Sequence, residues 1–190
     1  FDYPDDVKKQ FDLVKKSLKD DKGKLLKLEQ DFVIKYPKRM ETICKIVSKV
    51  QKNQLVLFHR QVYGKELKKH LEENTDKEIY FIYGDIKKDD RSEIKKLMEK
   101  GTNKVLVASF GTLSTGVNIR NIHNIHFTES FKSDVIIRQS IGRGLRKHKD
   151  KDKLRLYDYV DFLTTSKSNM LVNHSRVRRT IYNEQGLKYV

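Results

Sequence analysis

This chain has few of the residues that stabilise secreted proteins or anchor membrane proteins. Its 190 residues include no tryptophan, two prolines and one cysteine, Cys44. A single cysteine cannot form an internal disulfide, which indicates a reducing compartment. The sequence has no apolar run long enough to cross a bilayer and no signal peptide at its start. We therefore expect a cytoplasmic protein with no membrane partner.

Positive charge, by contrast, is abundant. Lysine and arginine together number 41 against 26 aspartates and glutamates, which gives a formal net charge of +15. Such an excess favours a polyanionic partner, most often a nucleic-acid backbone. An acidic membrane surface is the alternative, but the chain has no strongly amphipathic basic anchor. The composition therefore indicates a nucleic-acid-binding protein.

The apolar residues change their spacing near residue 50. Before that point their helical spacing predicts three helices over residues 5–50, with breaks at Asp20-Asp-Lys-Gly23 and at Pro37. Beyond it, short apolar runs alternate with polar helical stretches. The runs are 55–58, 79–83, 105–108, 122–127 and 154–159, and the helical stretches lie near 62–74, 88–100 and 133–141.

This alternation predicts an α/β domain in which helices cover both faces of a mainly parallel sheet. We assign that domain to residues 39–163, with an N-terminal helical extension at 1–38 and a basic helical tail at 164–190. In such sheets the working residues gather beyond the carboxyl ends of the strands. The arginines of the tail either contact DNA or remain in solvent; they are Arg176, Arg178 and Arg179.

The run Gln139-Ser-Ile-Gly-Arg-Gly-Leu-Arg146 places two arginines three residues apart. At positions i and i+3 of a helix, Arg143 and Arg146 would project from one face. Two planar, permanently charged guanidinium groups side by side suit a triphosphate whose negative charge is being redistributed. A solvated basic helix end is the alternative interpretation.

The stretch Val105-Leu-Val-Ala-Ser-Phe-Gly-Thr-Leu-Ser-Thr-Gly-Val-Asn-Ile119 begins as a buried strand and continues as a loop of small residues. Gly111 and Gly116 permit close approach of the backbone to a ligand. Hydroxyl groups that can donate to phosphate oxygens lie on Ser109, Thr112, Ser114 and Thr115. An ordinary turn between a strand and a helix is the alternative, and the arginine run that follows makes it less favoured.

Two shorter stretches agree with these. The run Leu55-Val-Leu-Phe-His-Arg60 is a strand that ends in residues able to meet a phosphate backbone. The run Ile82-Tyr-Gly-Asp85 ends a second strand and is followed by Arg91 at the opening of a helix. Each stretch alone has an ordinary structural explanation.

In order, spacing and residue type, these stretches resemble motifs IV, V and VI of the superfamily 2 helicases and the segment between motifs IV and V. The resemblance covers residues 39–163 and points to the second, C-terminal RecA-like domain, which implies a three-layer fold. Within the superfamily, residues 109–118 and 140–146 are most similar to the phage UvsW-type recombination helicases. That similarity implies ATP-dependent work on branched or single-stranded DNA in recombination, repair and replication restart, in the cytoplasm of an infected bacterium.

The resemblance also implies roles for residues near a bound nucleotide. Arg143 and Arg146 would be arginine fingers, and Gln139 would either orient near the nucleotide or help couple it to the nucleic-acid groove. Gly116 and Asn118 would lie near its ribose. Many relatives have an acidic residue where Asn118 stands, so this chain departs from the family pattern at the ribose contact.

By the same resemblance, a second group of residues would contact nucleic acid along the carboxyl ends of the strands. Arg60 and the start of the glycine-containing loop would hold the phosphates of one strand. The predicted nucleic-acid contacts are His59, Arg60, Gly84, Ser109, Gly111 and Thr112.

The chain lacks two motifs that ATP hydrolysis by such helicases requires. It has neither a G-x-x-x-x-G-K-[ST] loop nor a D-E-x-[DH] run, which supply the phosphate cradle and the carboxylates for metal and water. Its histidines lack the spacing of zinc ligands. We therefore expect ATP and Mg²⁺ to be held mainly by a first RecA-like domain, N-terminal in the same protein, and this chain alone to be inactive. Because it opens on Phe1 rather than methionine, we expect it to be a piece of a longer protein.

Two other functions remain open at this point. One is a non-enzymatic module that binds or anneals nucleic acid with the same fold and basic surface. The other is the corresponding half of an RNA helicase or of a restriction-type translocase.

Overall fold

A parallel sheet of five strands lies at the centre of the structure, a computed structural model that describes residues 1–18, 20–84, 86–114 and 118–188. All adjacent strands pair in parallel, in the order β2-β3-β1-β4-β5. The strands are β1 (Gln54–Phe58), β2 (Ile79–Ile82), β3 (Val105–Ser109), β4 (Asn124–Phe127) and β5 (Arg155–Asp158).

Helices precede, separate and follow these strands. In chain order they are α1 (Asp5–Ser17), α2 (Lys22–Lys35), α3 (Pro37–Lys49), α4 (Gln61–Asn74), α5 (Lys88–Lys100), α6 (Phe110–Ser114), α7 (Asp134–Gly144) and α8 (Met170–Glu184). Helix α2 begins at Lys22, inside the break predicted at 20–23, because the Asp21 side chain accepts a hydrogen bond from the Lys24 N–H at 2.9 Å and caps the helix. Pro37 opens α3, where its missing N–H leaves no bond unmade.

The alternation of strand residues divides the interior into two layers of core. On one face of β1, Leu55 and Leu57 pack in a cluster with Ile137 of α7. On the other face, Val56 and Phe58 belong to a cluster with residues of α3 and α4. Both faces of the sheet are therefore covered, and the predicted three-layer α/β fold is confirmed.

The N-terminal helices pack against the C-terminal part of the chain. Tyr3, Phe11 and Leu171 share a third apolar cluster. The buried carboxylate of Glu29 in α2 accepts hydrogen bonds from the N–H groups of Met170 and Leu171 at 3.1 and 3.0 Å, and so caps α8. The first 38 residues therefore cover the sequence that follows β5.

Two buried ion pairs fix the end of β5 and the residues just after it. Arg39 donates to both carboxylate oxygens of Asp161 at 2.6 and 2.9 Å, and Tyr3 donates to the same carboxylate at 2.9 Å. Arg178 of α8 donates to both oxygens of Asp158 at 2.9 and 2.7 Å. Arg178 is fully buried, so the expectation that it contacts DNA or lies in solvent was wrong. Its charge serves the fold instead.

Within the part of the chain that the structure describes, no helix is long and apolar enough to cross a membrane.

Candidate functional site

The carboxyl ends of three adjacent strands bring together the residues predicted to contact nucleic acid. In the sheet, Phe58 of β1 pairs with Ser109 of β3, and Ala108 of β3 pairs with Ile82 of β2. The residues that directly follow these strand ends therefore share one edge. They are His59 and Arg60 after β1, Gly84 after β2, and Gly111 and Thr112 after β3.

The start of the glycine-containing loop is a helical turn. Residues 110–114 form α6 where the sequence indicated an open loop. Ser109 explains this, because its hydroxyl lies 2.6 Å from the Thr112 hydroxyl and accepts from the Thr112 N–H at 3.3 Å. Thr112 is 3% exposed and stabilises the turn, whereas Gly111 is exposed. A direct phosphate contact of Thr112 stays a prediction.

The side chain of Glu129 accepts hydrogen bonds from two backbone N–H groups at the end of β1. The N–H groups of His59 and Arg60 both donate to its Oε2 atom, at 2.9 Å for Arg60. Glu129 is 5% exposed, and burial raises the pKa of its carboxyl, while the two backbone donors offset part of that rise. Sequence reasoning missed this residue, although its position directly after β4 placed it at the same edge.

The side chain of Arg60 is already paired. Its guanidinium forms an ion pair with Asp31 and donates to the side-chain oxygen of Gln30 at 3.1 Å, both on α2. The neighbouring His59 is exposed. A phosphate that approaches this edge therefore meets the imidazole of His59 directly, whereas Arg60 would have to leave α2 to reach it.

Arg143 and Arg146 lie at the end of α7, but only the first of them is inside the helix. The helix ends at Gly144, so the expectation that both arginines project from one helical face was wrong. A Cβ atom on Gly144 would lie 2.6 to 2.7 Å from Leu154 and Ile125, which shows how closely this helix end packs on the sheet. The Arg146 N–H donates to the Arg143 carbonyl at 3.3 Å, and this turn keeps the two residues adjacent.

The side chain of Arg146 contacts a second residue of the predicted nucleotide site. Its guanidinium donates to the side-chain oxygen of Asn118. Burial lowers the pKa of Arg143, and the neighbouring charge of Arg146 lowers it further. The structure therefore brings Asn118, Arg143 and Arg146 together as a partly buried group that carries two positive charges. Such a group favours an anion such as a phosphate.

The contacts of Lys151 show that the group around Arg146 lies at the opposite edge of the sheet. Its ammonium donates to the carbonyls of Gly144, Arg120 and Ile122 at 2.8, 2.9 and 3.2 Å. Residues 120–122 lead into the amino end of β4, so the arginines lie at the amino edge. We expected all working residues at the carboxyl edge. Only the predicted nucleic-acid contacts lie there, whereas the predicted nucleotide site does not. A lysine shortly after a helix end was the signal for Lys151.

Gln139 and Gly116 are the remaining two residues of the predicted nucleotide site. Gln139 is exposed on α7 and lies one turn before Arg143, which puts the two on the same face of the helix. Gly116 lies outside the described residues. Neither role is decided by this geometry, and both stay predictions.

The described residues contain no group of three or more histidine, cysteine, aspartate or glutamate side chains placed to hold a metal ion. His126 has a structural role in the core. It lies buried between the Tyr159 hydroxyl and the side-chain oxygen of Gln54, each at 2.9 Å. Burial lowers its pKa to about 3, so it is a neutral core residue.

Comparison with known sequences gives one conserved domain and two informative relatives. The family described as Helicase conserved C-terminal domain matches residues 38–148. The chain is 32% identical over 143 residues to the ATP-dependent DNA helicase uvsW of Enterobacteria phage T4, which covers 74% of this chain and 28% of that protein. It is 32% identical over 87 residues to the putative ATP-dependent helicase IRC3 of Saccharomyces cerevisiae, which covers 46% of this chain and 12% of that protein. The chain thus spans less than a third of either relative.

Comparison with solved structures agrees. The crystal structure of T4 UvsW superimposes with a TM-score of 0.79 at 27% identity, over 100% of this chain and 39% of that chain. The C-terminal domain of the DEAD-box protein Dbp5 superimposes with a TM-score of 0.60 at 13% identity, over 80% of each chain. The second likeness concerns the fold alone, and together the two confirm the RecA-like architecture.

Proposed function

Because the chain belongs to the helicase conserved C-terminal domain family and is related to the phage helicase UvsW, we propose that it is the C-terminal motor domain of an ATP-dependent DNA helicase or translocase. The observation that carries this proposal is the contact of Arg146 with Asn118, next to Arg143 and at the edge opposite the predicted DNA contacts. A motor domain needs two such separate surfaces, one for the nucleotide and one for the strand.

At the amino edge, Arg143 and Arg146 act as arginine fingers. Their planar guanidinium groups offer paired N–H donors to phosphate oxygens. Where such fingers have been measured in other nucleotide hydrolases, they contribute on the order of 10³–10⁵ in rate. Gln139, one turn before Arg143, lies near the nucleotide, and Asn118 and Gly116 lie near its ribose.

ATP and Mg²⁺ are held mainly by a first RecA-like domain that precedes this chain in the same protein. That domain supplies the phosphate-binding loop and the metal-binding carboxylates, which this sequence lacks. The donors gathered around Arg146 are guanidinium and amide groups, which fit phosphate and ribose oxygens. The chain by itself is therefore expected to hydrolyse no ATP.

At the carboxyl edge, one DNA strand runs past the ends of β1, β2 and β3. His59, Arg60, Gly84, Ser109, Gly111 and Thr112 contact its backbone. Because backbone contacts carry no base information, the substrate is selected by its strand structure. Relatedness to UvsW leads us to propose forks, junctions and displacement loops as substrates, in recombination and replication restart in the cytoplasm of a phage-infected cell.

The two edges are linked along the chain, because Ser109 lies at the carboxyl edge and Asn118, nine residues later, belongs to the group around Arg146. Closure of the cleft between the two RecA-like domains draws the arginines toward the nucleotide and shifts Ser109 and Gly111 along the strand. Hydrolysis removes the phosphate that joins the halves, and the cleft reopens. Repetition of this cycle gives translocation.

The domain boundaries follow from this proposal. Residues 39–163 form the motor domain, residues 1–38 form an extension or a link from the first domain, and residues 164–190 form the tail. The capping of α8 by Glu29 supports the view that the extension and the tail form one cover.

The test is DNA-stimulated ATP hydrolysis by a protein in which this chain follows its first RecA-like domain, with branched DNA as the stimulant. Arg143→Ala and Arg146→Ala should each lower the rate on the order of 10³-fold or more and leave DNA affinity intact. Arg138→Ala is the matched control, because Arg138 lies on the same helix but pairs with Asp134 and Glu184.

Hydrolysis that survives both substitutions would refute the arginine-finger role. A protein that binds DNA but has no ATPase activity at all would instead be a non-enzymatic annealing module. Stimulation by duplex RNA rather than branched DNA would identify an RNA helicase.

A further inference from the structure

Aromatic rings lead from the core to the surface at the carboxyl edge. Phe58 at the end of β1 stacks on Phe81 of β2, with ring centroids 5.4 Å apart and planes 9° from parallel. Phe81 in turn contacts Tyr83, with centroids 5.2 Å apart and planes tilted by 46°. Phe58 is fully buried, whereas Tyr83 is 37% exposed. The surface ring is therefore supported from below, as a rigid stacking surface must be.

Helix α4 places the ammonium group of Lys65 beside the ring of Tyr83. A Cβ atom on Gly64 would lie 2.5 Å from the Phe58 ring, so the helix backbone rests directly on that ring. The next residue, Lys65, is exposed and places its Nζ atom 5.5 Å from the centroid of Tyr83. A flexible ammonium group and a partly exposed aromatic ring therefore share one place on the surface.

The backbone next to Tyr83 is open. Gly84 has φ of +54°, a conformation that favours glycine, and nothing lies within 4 Å of where its Cβ would be. A phosphate can therefore approach the main chain here. This opening is continuous with the edge where Ser109 and Gly111 are expected to meet the strand.

A second tyrosine–lysine pair, in which the tyrosine lies within β2, lacks these properties. Lys104 lies 5.6 Å from the ring centroid of Tyr80. However, Lys104 is paired with Glu78 at 2.9 Å, and the Tyr80 hydroxyl donates to the same carboxylate. For Lys65, no carboxylate in the described ranges lies within 4.0 Å. Within that part of the chain, no carboxylate competes with a phosphate for Lys65, whereas Lys104 is neutralised by Glu78.

We propose that Tyr83 and Lys65 form a binding site for one nucleotide of a single DNA strand, with the base stacked on Tyr83 and its phosphate between Lys65 and the Gly84 backbone. The proposal rests on the proposed function and deepens it. The contacts assigned so far are all to the phosphate backbone. A stacked base adds a grip that tolerates any sequence, because every base has an aromatic face.

The first experiment titrates a short fluorescein-labelled oligothymidylate with the full 190-residue chain and measures anisotropy. Tyr83→Leu removes the aromatic face and should weaken binding roughly 5- to 150-fold. Tyr83→Phe keeps the ring and should bind within about twofold of the wild type. Tyr80→Leu is the matched control and should bind as the wild type does.

A second titration, with a different oligomer, separates the contribution of base stacking from that of charge. An oligomer of the same length made of abasic sugar-phosphate keeps the phosphates and removes the bases. On this strand the difference between the wild type and Tyr83→Leu should vanish. Lys65→Gln should weaken binding to both strands and reduce the slope of log affinity against log salt by about 0.7, the value for one phosphate on a single strand.

The outcomes separate this inference from the proposed function. If the wild-type chain binds neither strand, both are wrong. If it binds oligothymidylate and Tyr83→Leu binds equally well, or loses as much on the abasic strand, only the stacking site is overturned. Should Tyr83→Leu fail to fold by circular dichroism, photocrosslinking of the wild-type chain to an iodouracil-substituted strand decides. A crosslink at Tyr83 supports the site, and crosslinks only elsewhere overturn it.

Discussion

The guanidinium of Arg146 donates a hydrogen bond to the side-chain oxygen of Asn118. The two residues come from different parts of the chain, one from the turn after α7 and the other from the segment before β4. Because the acceptor is a neutral amide, it orients the guanidinium without cancelling its charge. Arg146 is thus held in position and still carries a charge that can act on a phosphate.

Asn118→Ala should release Arg146 and slow ATP hydrolysis by roughly tenfold, the effect of losing one hydrogen bond to a charged group. The measurement is the DNA-stimulated rate of the protein with both RecA-like domains. A double-mutant cycle supplies the control: if Asn118 acts through Arg146, adding Asn118→Ala to Arg146→Ala should change little. Additive losses would show that Asn118 contacts the nucleotide on its own.

Lys151→Met should loosen the end of α7, because three backbone carbonyls lose their shared donor. We expect the free energy of unfolding to fall by about 1–3 kcal/mol. ATP hydrolysis should fall as well, because Arg143 and Arg146 lose their support. Urea denaturation and the ATPase rate measure the two effects. Lys153→Met, two residues further and exposed, is the control, and equal effects of both substitutions would contradict this role.

Asp158→Asn should be strongly destabilising. It leaves the buried guanidinium of Arg178 without its carboxylate and weakens the bond from the Tyr182 hydroxyl. Removing one partner of a buried ion pair costs on the order of 3–5 kcal/mol, which urea denaturation can measure. Arg176→Ala, on the exposed side of the same helix, should stay within about 0.5 kcal/mol of the wild type. A small effect of Asp158→Asn would mean that water reaches the pair.

His126 should make stability depend on pH in the acid range. Burial lowers its pKa to about 3 in the folded protein, whereas the unfolded chain titrates near 6.5. The unfolded state therefore binds more protons between these values, and stability that is complete above pH 6.5 is lost as the pH falls. His126→Gln should make the slope of unfolding free energy against pH shallower by about 1.4 kcal/mol per pH unit. A slope for His126→Gln that equals the slope of the wild type would contradict this explanation.

The sheet was predictable because its signal is local. Runs such as 105–108 are continuously apolar, short and rich in valine, a pattern that is typical of a strand buried on both faces. The structure extends this run by one residue to Ser109. The helices were equally accessible, because spacing and breakers such as Pro37 act over a few residues.

The sites were only partly predictable, because they depend on residues distant in sequence. Nothing near Arg178 in the chain indicates that Asp158 lies opposite it, so its burial could not be foreseen. The positions of Glu129 after β4 and of Lys151 after α7 indicated the edges where they lie, but their hydrogen-bond partners could not be foreseen. Arg146 fell outside its helix because Gly144 packs on Ile125 and Leu154 and the chain turns there.

The two buried pairs at the end of β5 and just after it also constrain how such a sequence can diverge. Arg39 and Asp161 are held by each other, as are Arg178 and Asp158. A substitution of one member alone leaves the other as an unpaired buried charge. That intermediate protein is less stable than the protein with both members and than a protein in which both are replaced by apolar residues. Each pair is therefore expected to be inherited as a unit, retained whole or exchanged whole for apolar residues.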